Sequence, residues 1–357
     1  MKLRILLIIA VILFGGRVPA LPLTFQLVNG IAHAQTAPFY QGKTIRLIEG
    51  FGTGGASDRW VRLIARYMRK YIPGNPEMIA QSMPGASGVI ASNYVYNVAK
   101  PDGLTVVMAL SFLYLDQLVG REEIKFDVRK FQWIGTQEKY NAMLYMRADA
   151  PFKSVGDIIK AKEPPKCGTS GTAAVGYILP KLLEETLGAK FNMVLGYTSG
   201  PETDLGVERG EVVCRAMDIV SHFLREPFLT WHKTGFDRHL VQSPRKRDPR
   251  APDTPTIWEL MDEYKTPEVS RRVALTMLVS GELGRPMMAP PGTPAERVKI
   301  LREAYTKAMR DPDLMAEAKK GRMDMDPSTG EELQALINEV MNQPAEVVER
   351  VKKILGQ

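Results

Sequence analysis

The chain has 357 residues, a formal net charge of +7 from 47 lysines and arginines against 40 aspartates and glutamates, and a hydrophobic fraction of 45%. That length exceeds one domain of ~100 to 200 residues and predicts two lobes with ordinary apolar cores. The charge excess is too small for a nucleic-acid footprint, and beyond the first residues no stretch approaches the ~20 apolar residues of a transmembrane helix.

Lys2 and Arg4 precede an unbroken apolar run from Ile5 to Phe14, and Ala32-His33-Ala34 closes the segment. This pattern predicts a secretory signal peptide over residues 1–34, cleaved to leave Gln35 first and to place a soluble protein in the periplasm. Loss of Lys2, Arg4 and Arg17, with no acidic residue lost, lowers the charge from +7 to +4. No cysteine follows the cleavage site, so no lipid anchor is expected there. The basic run Arg245, Lys246, Arg247 and Arg250 lies among Pro244, Asp248, Pro249 and Pro252 and reads as a solvated loop.

The mature chain opens with a short strand at 44–48, a glycine-rich loop from Gly50 to Gly55, and an amphipathic helix. On that helix Trp60, Ile64, Tyr67, Met68 and Tyr71 recur at helical spacing, opposite Arg62, Arg66, Arg69 and Lys70, until Pro73-Gly74-Asn75-Pro76 ends it. The same order repeats with a strand at 78–81, a loop at 83–88, a helix at 89–98 and a strand at 105–110. Such alternation argues for an α/β lobe with a mostly parallel sheet flanked by helices.

A second series begins near Pro151. Ser154 and Asp157 form a capping-box pattern for a helix reaching Lys162. A strand at 166–168 leads through Thr169-Ser170-Gly171-Thr172 into a helix bearing Ile178, Leu179, Leu182, Leu183 and Leu187, closed by Gly188, in which Pro180 is awkward. Strands at 191–195 and 212–217 complete the second lobe. Beyond it the pattern is helical, with starts at Thr256/Glu259 and Thr293-Pro294-Ala295-Glu296, and is expected to return to the first lobe. The expected limits are 35–146 with 247–357 for the first lobe and 147–246 for the second, with a hinge between them. Cys167 and Cys214 fall in two short strands of that second lobe; a bridge and two buried free thiols are both open, and the strict geometry of a bridge tilts the expectation toward free thiols.

The loop from Gly50 to Gly55 fits G-x-G-x-x-G, but Gln81 and Ser82 stand where a dinucleotide fold needs an acidic residue, and no Gly-Lys-Ser or Gly-Lys-Thr follows. Its glycines let backbone approach a ligand, and the helix start that follows attracts an anion. Thr53, Ser57 and Asp58 add side chains there, Asp58 as a cap or brace. Loops at 84–88 and 170–172 are of the same kind, and three such loops suit an anion-binding cleft. His222, His232 and His239 carry no recognisable catalytic motif, and their spacing matches no known metal motif, so neither a metal nor a cofactor is expected.

Five motifs then occur in order: Gly-Gly-Ala-Ser-Asp at 54–58, Met-Pro-Gly-Ala-Ser-Gly at 83–88, Pro-Asp-Gly at 101–103, Tyr-Thr-Ser-Gly at 197–200 and Pro-Pro-Gly-Thr-Pro-Ala-Glu-Arg-Val at 290–298. Together they resemble the substrate-binding receptors of tripartite tricarboxylate transporters, also called Bug receptors. The resemblance implies a two-lobed periplasmic binding protein fold of type II kind, no enzymatic activity, and a small carboxylate held by backbone N–H groups, hydroxyls and water. By position it implies ligand contacts at Thr53, Gly54, Gly55, Ser57, Gly85, Ala86, Ser87, Ser170, Gly171, Thr172, Tyr197 and Asp218. It implies delivery to a permease of one large and one small subunit by a receptor expected to be monomeric, with no nucleic-acid partner. The chain departs from the family pattern at Gly50, in place of the usual proline, at Ser82 and Met83, where the usual asparagine is missing, and at Val175, where a histidine often stands. Two other readings stand beside this one: a ligand sensor feeding a two-component kinase, and a secreted α/β enzyme, against which the missing acid–base pair counts.

Overall fold

A computed structural model describes residues 37–50, 56–171, 174–197 and 199–356. The expected signal peptide, most of the first glycine loop, and Thr172 lie outside the described residues. Eleven strands are described: β1 (Thr44–Glu49), β2 (Glu77–Ser82), β3 (Thr105–Met108), β4 (Gln132–Thr136), β5 (Ala142–Arg147), β6 (Lys166–Gly168), β7 (Asn192–Val194), β8 (Cys214–Asp218), β9 (Asp237–Gln242), β10 (Met287–Ala289) and β11 (Ser328–Thr329). They form two sheets, in the orders β11-β4-β10-β3-β1-β2 and β7-β6-β8-β5-β9.

Both sheets are mixed, and this refines the mostly parallel arrangement expected. The β2-β1-β3 and β7-β6-β8 segments are parallel, as strand–loop–helix repeats require. The remainder is antiparallel: β10 inserts between β3 and β4, and β5 pairs with β8 and β9. The chain first passes between sheets at 137–141, ahead of the limit expected at 146–147. The cause is β5, whose first five residues are all buried and which therefore lacks the alternation that marks a strand in sequence.

The helix Ala56–Met68 buries Trp60, Ile64 and Met68 against the first sheet and the helix Ala295–Ala308, in one core with Ile45, Val106, Met287 and Tyr305. Arg62 and Arg66 stay on its wet side. The helix Gly330–Val340 packs on β4 and so returns to the first sheet, whereas the last helix, Ala345–Ile354, packs on the helices Glu268–Leu283 and Val175–Leu187. The helix Glu268–Leu283 instead lies beside the helix Val175–Leu187 of the second sheet, where Thr266 Oγ1 donates to the Thr186 carbonyl at 2.7 Å. That helix runs through Pro180 without breaking. Among the described residues no helix is long and apolar enough to cross a membrane.

Cys167 and Cys214 are joined in a disulfide, correcting the expectation of free thiols. Their strands β6 and β8 are parallel neighbours, and the two cysteines face each other in register with Cα atoms 4.5 Å apart. The bond closes a loop spanning a sequence separation of 47 residues. Replacing both cysteines by alanine is expected to lower stability by about 2–4 kcal/mol in urea unfolding; an unchanged midpoint would contradict a bridge that constrains the unfolded chain.

Candidate functional site

The chain crosses between the sheets twice, at 137–141 and over 243–286, and the segments at these crossings hold one another. The Tyr140 N–H donates to the Gly281 carbonyl at 2.8 Å, and the Arg285 N–H donates to Thr136 Oγ1 at 3.1 Å. Ala142 and Ser243 exchange two bonds of 2.8 Å, one through the serine hydroxyl. At their meeting point lies a cavity of about 300 Å³, lined by Leu110, Ser111 and Phe112 after β3, Tyr140 and Asn141 from the first crossing, Val175 and Ile178, Asp218 at the end of β8, Ser243, and Met277, Leu278, Ser280 and Arg285. Both sheets therefore contribute to its wall.

The charged end of this cavity is built around Glu138 and Arg285. The Arg285 guanidinium pairs with Glu138 Oε1, while Tyr140 Oη donates to the same oxygen at 2.7 Å and Trp60 Nε1 to Oε2 at 2.9 Å. Arg285 also lies over the Tyr140 ring at 4.9 Å. Burial raises the Glu138 carboxyl above its ordinary range, partly offset by Arg285, and burial lowers the Arg285 guanidinium, which stays cationic. The Nε–H of Arg285 is buried and has no hydrogen-bond partner. A buried cationic donor left unpaired is costly, and a carboxylate oxygen is the acceptor that satisfies it best.

Among the described residues, Asp218 is the expected ligand contact that lines this cavity, together with Val175, where the family often has a histidine. Its Oδ1 accepts the Ser221 N–H at 2.7 Å and so caps the helix Ile219–Leu224, while Oδ2 is buried without a partner. The other expected contacts are distributed around the loops. Thr53, Gly54, Gly55 and Thr172 fall outside the described residues. Ser57 and Asp58 are buried, and the Asp58 carboxylate receives Arg62 Nε at 2.8 Å, a brace within the helix. Gly85 and Ala86 both have positive φ, 140° and 44°, in the short turn that ends at Gly88; of Ser87 only the backbone is described. Ser170 is exposed and Gly171 half-buried ahead of Val175. Tyr197 turns toward its own lobe, its hydroxyl donating to Glu211 at 3.3 Å. Arg285, Asn141 and Tyr140 were not anticipated. Arg285 stands between Gly284 and Pro286 just ahead of β10, and a lone arginine entering a buried strand is the signal that points to it.

The departure at Gly50 has a steric reason. A Cβ there would lie 2.4 Å from the Gly88 Cα, so the loops that follow β1 and β2 meet backbone to backbone and leave no room for a side chain.

The sequence pattern of the tripartite tricarboxylate transporter family receptor matches residues 61–353. The chain belongs to this receptor family. Among curated relatives, this receptor is 27% identical over 301 residues to a protein encoded in the gbd 5′ region of Cupriavidus necator, with 83% of each chain covered. Among solved structures it shares its fold with a TctC solute-binding protein from Polaromonas, at a TM-score of 0.72 and 22% identity over 88% of this chain and 99% of that one. It also shares its fold with MatC from Rhodopseudomonas palustris, solved with bound malate, at a TM-score of 0.52 and 20% identity over 88% and 99% of the two chains. The receptor thus has the two-lobed architecture of periplasmic binding proteins.

Burial raises the Asp218 carboxyl above its ordinary range, ahead of the opposing bond from Ser221. A raised folded-state value means that stability is greatest below the unfolded value and is lost as pH rises through the folded one. Asp218→Asn keeps the cap and removes the buried charge. It is expected to raise the melting temperature of the ligand-free receptor at neutral pH, with the difference vanishing below the ordinary carboxylate range; equal melting temperatures throughout would contradict the assignment.

Proposed function

We propose that this receptor is exported to the periplasm, captures a small carboxylate between its lobes, and delivers it to the membrane subunits of a tripartite transporter. The observation that carries the reading is the Arg285 guanidinium, with a buried Nε–H that has no partner, on a residue that lines a cavity to which both sheets contribute. A volume of about 300 Å³ sits at the small end of ligand sites and suits an acid of a few carbons. The walls are largely apolar, through Leu110, Phe112, Val175, Ile178 and Met277, with Ser111, Asn141 and Ser243 available to orient polar atoms. Asp218 in the same lining opposes an additional negative charge near it, which favours an acid with few carboxylates.

The proposed lobes follow the crossings: one comprises β1–β4 with β10 and β11, the other β5–β9. Ser57, Gly85 to Ser87, and Ser170 to Thr172 remain the proposed loop contacts. Closure of the lobes about the two crossing segments would desolvate the bound acid. That MatC was solved with malate supports the ligand class and leaves the particular acid to experiment.

The test is a thermal-shift series on receptor unfolded and refolded to remove carried-over ligand, against mono-, di- and tricarboxylates and aromatic acids. An acid at 100 times its dissociation constant adds ~2.7 kcal/mol, which corresponds to a rise of about 4 °C for a chain of this length. A selective rise for one acid class is expected. A flat response to every acid would contradict carboxylate capture.

A further inference from the structure

We propose that His222, His232, Asp237 and His239 form a binding site for a divalent transition metal of the zinc class, a structural staple within the second lobe. The three histidines are separated in sequence by ten and seven positions, yet folding brings one donor atom from each of the four residues to within 4.8 Å of all the others. His222 comes from the helix Ile219–Leu224 and His232 from the helix Phe228–Thr234. Asp237 and His239 stand two apart on β9 and so share one face of that strand.

The spacing is that of a coordination shell. His222 Nε2 lies 3.0 Å from His239 Nε2 and 3.0 Å from Asp237 Oδ2, and His239 Nε2 lies 3.5 Å from the same carboxylate oxygen. Donors placed tetrahedrally at ~2.0–2.1 Å from zinc are separated from one another by about 3.3 Å. Three of the four donors therefore already stand at ligand-to-ligand distances, and His232 has to close by up to about 1.5 Å to complete the shell.

His222 Nε2 and His239 Nε2 stand at hydrogen-bond distance from each other, but other atoms of the cluster have no partner. Both Asp237 carboxylate oxygens and His232 Nε2 are buried with no hydrogen bond in acceptable geometry, close as the His222 and His239 nitrogens are to Asp237. The His222 and Asp237 side chains are 0% and 1% exposed. A buried carboxylate facing imidazole nitrogens without aligned hydrogen bonds is costly, and a dication satisfies all four groups at once. The protonation states agree with this. Burial lowers His222 and His232, which keeps their imidazoles neutral. Burial acts to raise Asp237, but the closeness of His222 and His239 outweighs it and holds the carboxyl well below its ordinary range. Neutral imidazole and ionised carboxylate are the forms that bind metal.

The surroundings fix the donors. Tyr145 stacks on the His222 ring at 5.0 Å, and Phe228 and Phe223 flank it at 4.5 and 5.6 Å. Four protein donors make a closed site of the structural kind, and an imidazole-rich set selects zinc, copper or nickel over magnesium or calcium. The helices bearing His222 and His232 have six and seven residues and cannot be stable alone. The metal would pin both to β9, the edge strand of the second sheet.

The experiment uses tag-free protein stripped with EDTA, titrated with Co²⁺ by visible absorption and with Zn²⁺ by calorimetry, beside His239→Gln and Asp237→Asn. The expected result is one equivalent of Co²⁺ with the intense bands of tetrahedral coordination, displaced by Zn²⁺, and a higher melting temperature with Zn²⁺. Each variant should melt like the wild type in EDTA and lose ~100-fold or more in affinity, since even loss of an outer-shell partner costs 10–100-fold. Binding of less than a tenth of an equivalent by folded wild type, or undiminished binding by both variants, would overturn the proposal. Should the variants fail to fold, X-ray absorption at the zinc edge of the loaded wild type decides: a shell of three imidazoles and one oxygen supports the site, and any sulfur or an all-oxygen shell refutes it.

Discussion

The buried pair of Glu138 and Arg285 is the interaction on which the receptor's architecture turns. Glu138 stands on the first crossing between sheets and Arg285 at the end of the second, just ahead of β10, so the pair fastens the two crossings to each other. Trp60 brings in the helix that follows the first glycine loop, and Tyr140 brings in the cavity wall. Neither charge is solvated, with side chains 11% and 15% exposed, so removal of either leaves the other buried and unpaired at a cost of about 3–5 kcal/mol. The geometry is fixed for that reason, and the buried Nε–H of the same guanidinium is left without a partner.

Around this anchor the two sheets divide the work. The first carries Gly50 after β1 and Gly88 after β2, which meet backbone to backbone. The second is held by the disulfide between β6 and β8, and its β8 ends in Asp218, which both caps the next helix and faces the cavity. One carboxylate and one guanidinium in the lining give the cavity polarity, and the apolar residues of the same lining set the shape of what fits.

Much of this was legible in the sequence where local chemistry decides it. The strand–loop–helix repeats of 44–110 and 166–217 appear as β1 to β3 and β6 to β8, because alternation, glycine loops and breakers are local signals. The capping boxes at Ser154/Asp157 and Thr256/Glu259 are present with both reciprocal bonds. What was not legible is non-local. Strands β4 and β5 are buried almost throughout and lack alternation, and the three residues of β10 pair with β3, about half the chain away. The cysteine bridge depends on a register between strands that sequence spacing does not encode. Arg285 and the histidine cluster are likewise assembled by topology, from residues that carry no motif of their own.

The account rests centrally on carboxylate capture at the junction of the two sheets. A crystal structure of refolded receptor with the acid that gives the largest thermal shift tests this directly. The predicted result is a carboxylate within hydrogen-bond distance of Arg285 Nε, in the cavity bounded by Tyr140, Asp218 and Ser243. Density for the acid elsewhere, or an Arg285 donor that stays unpaired in the ligand-bound receptor, would contradict it.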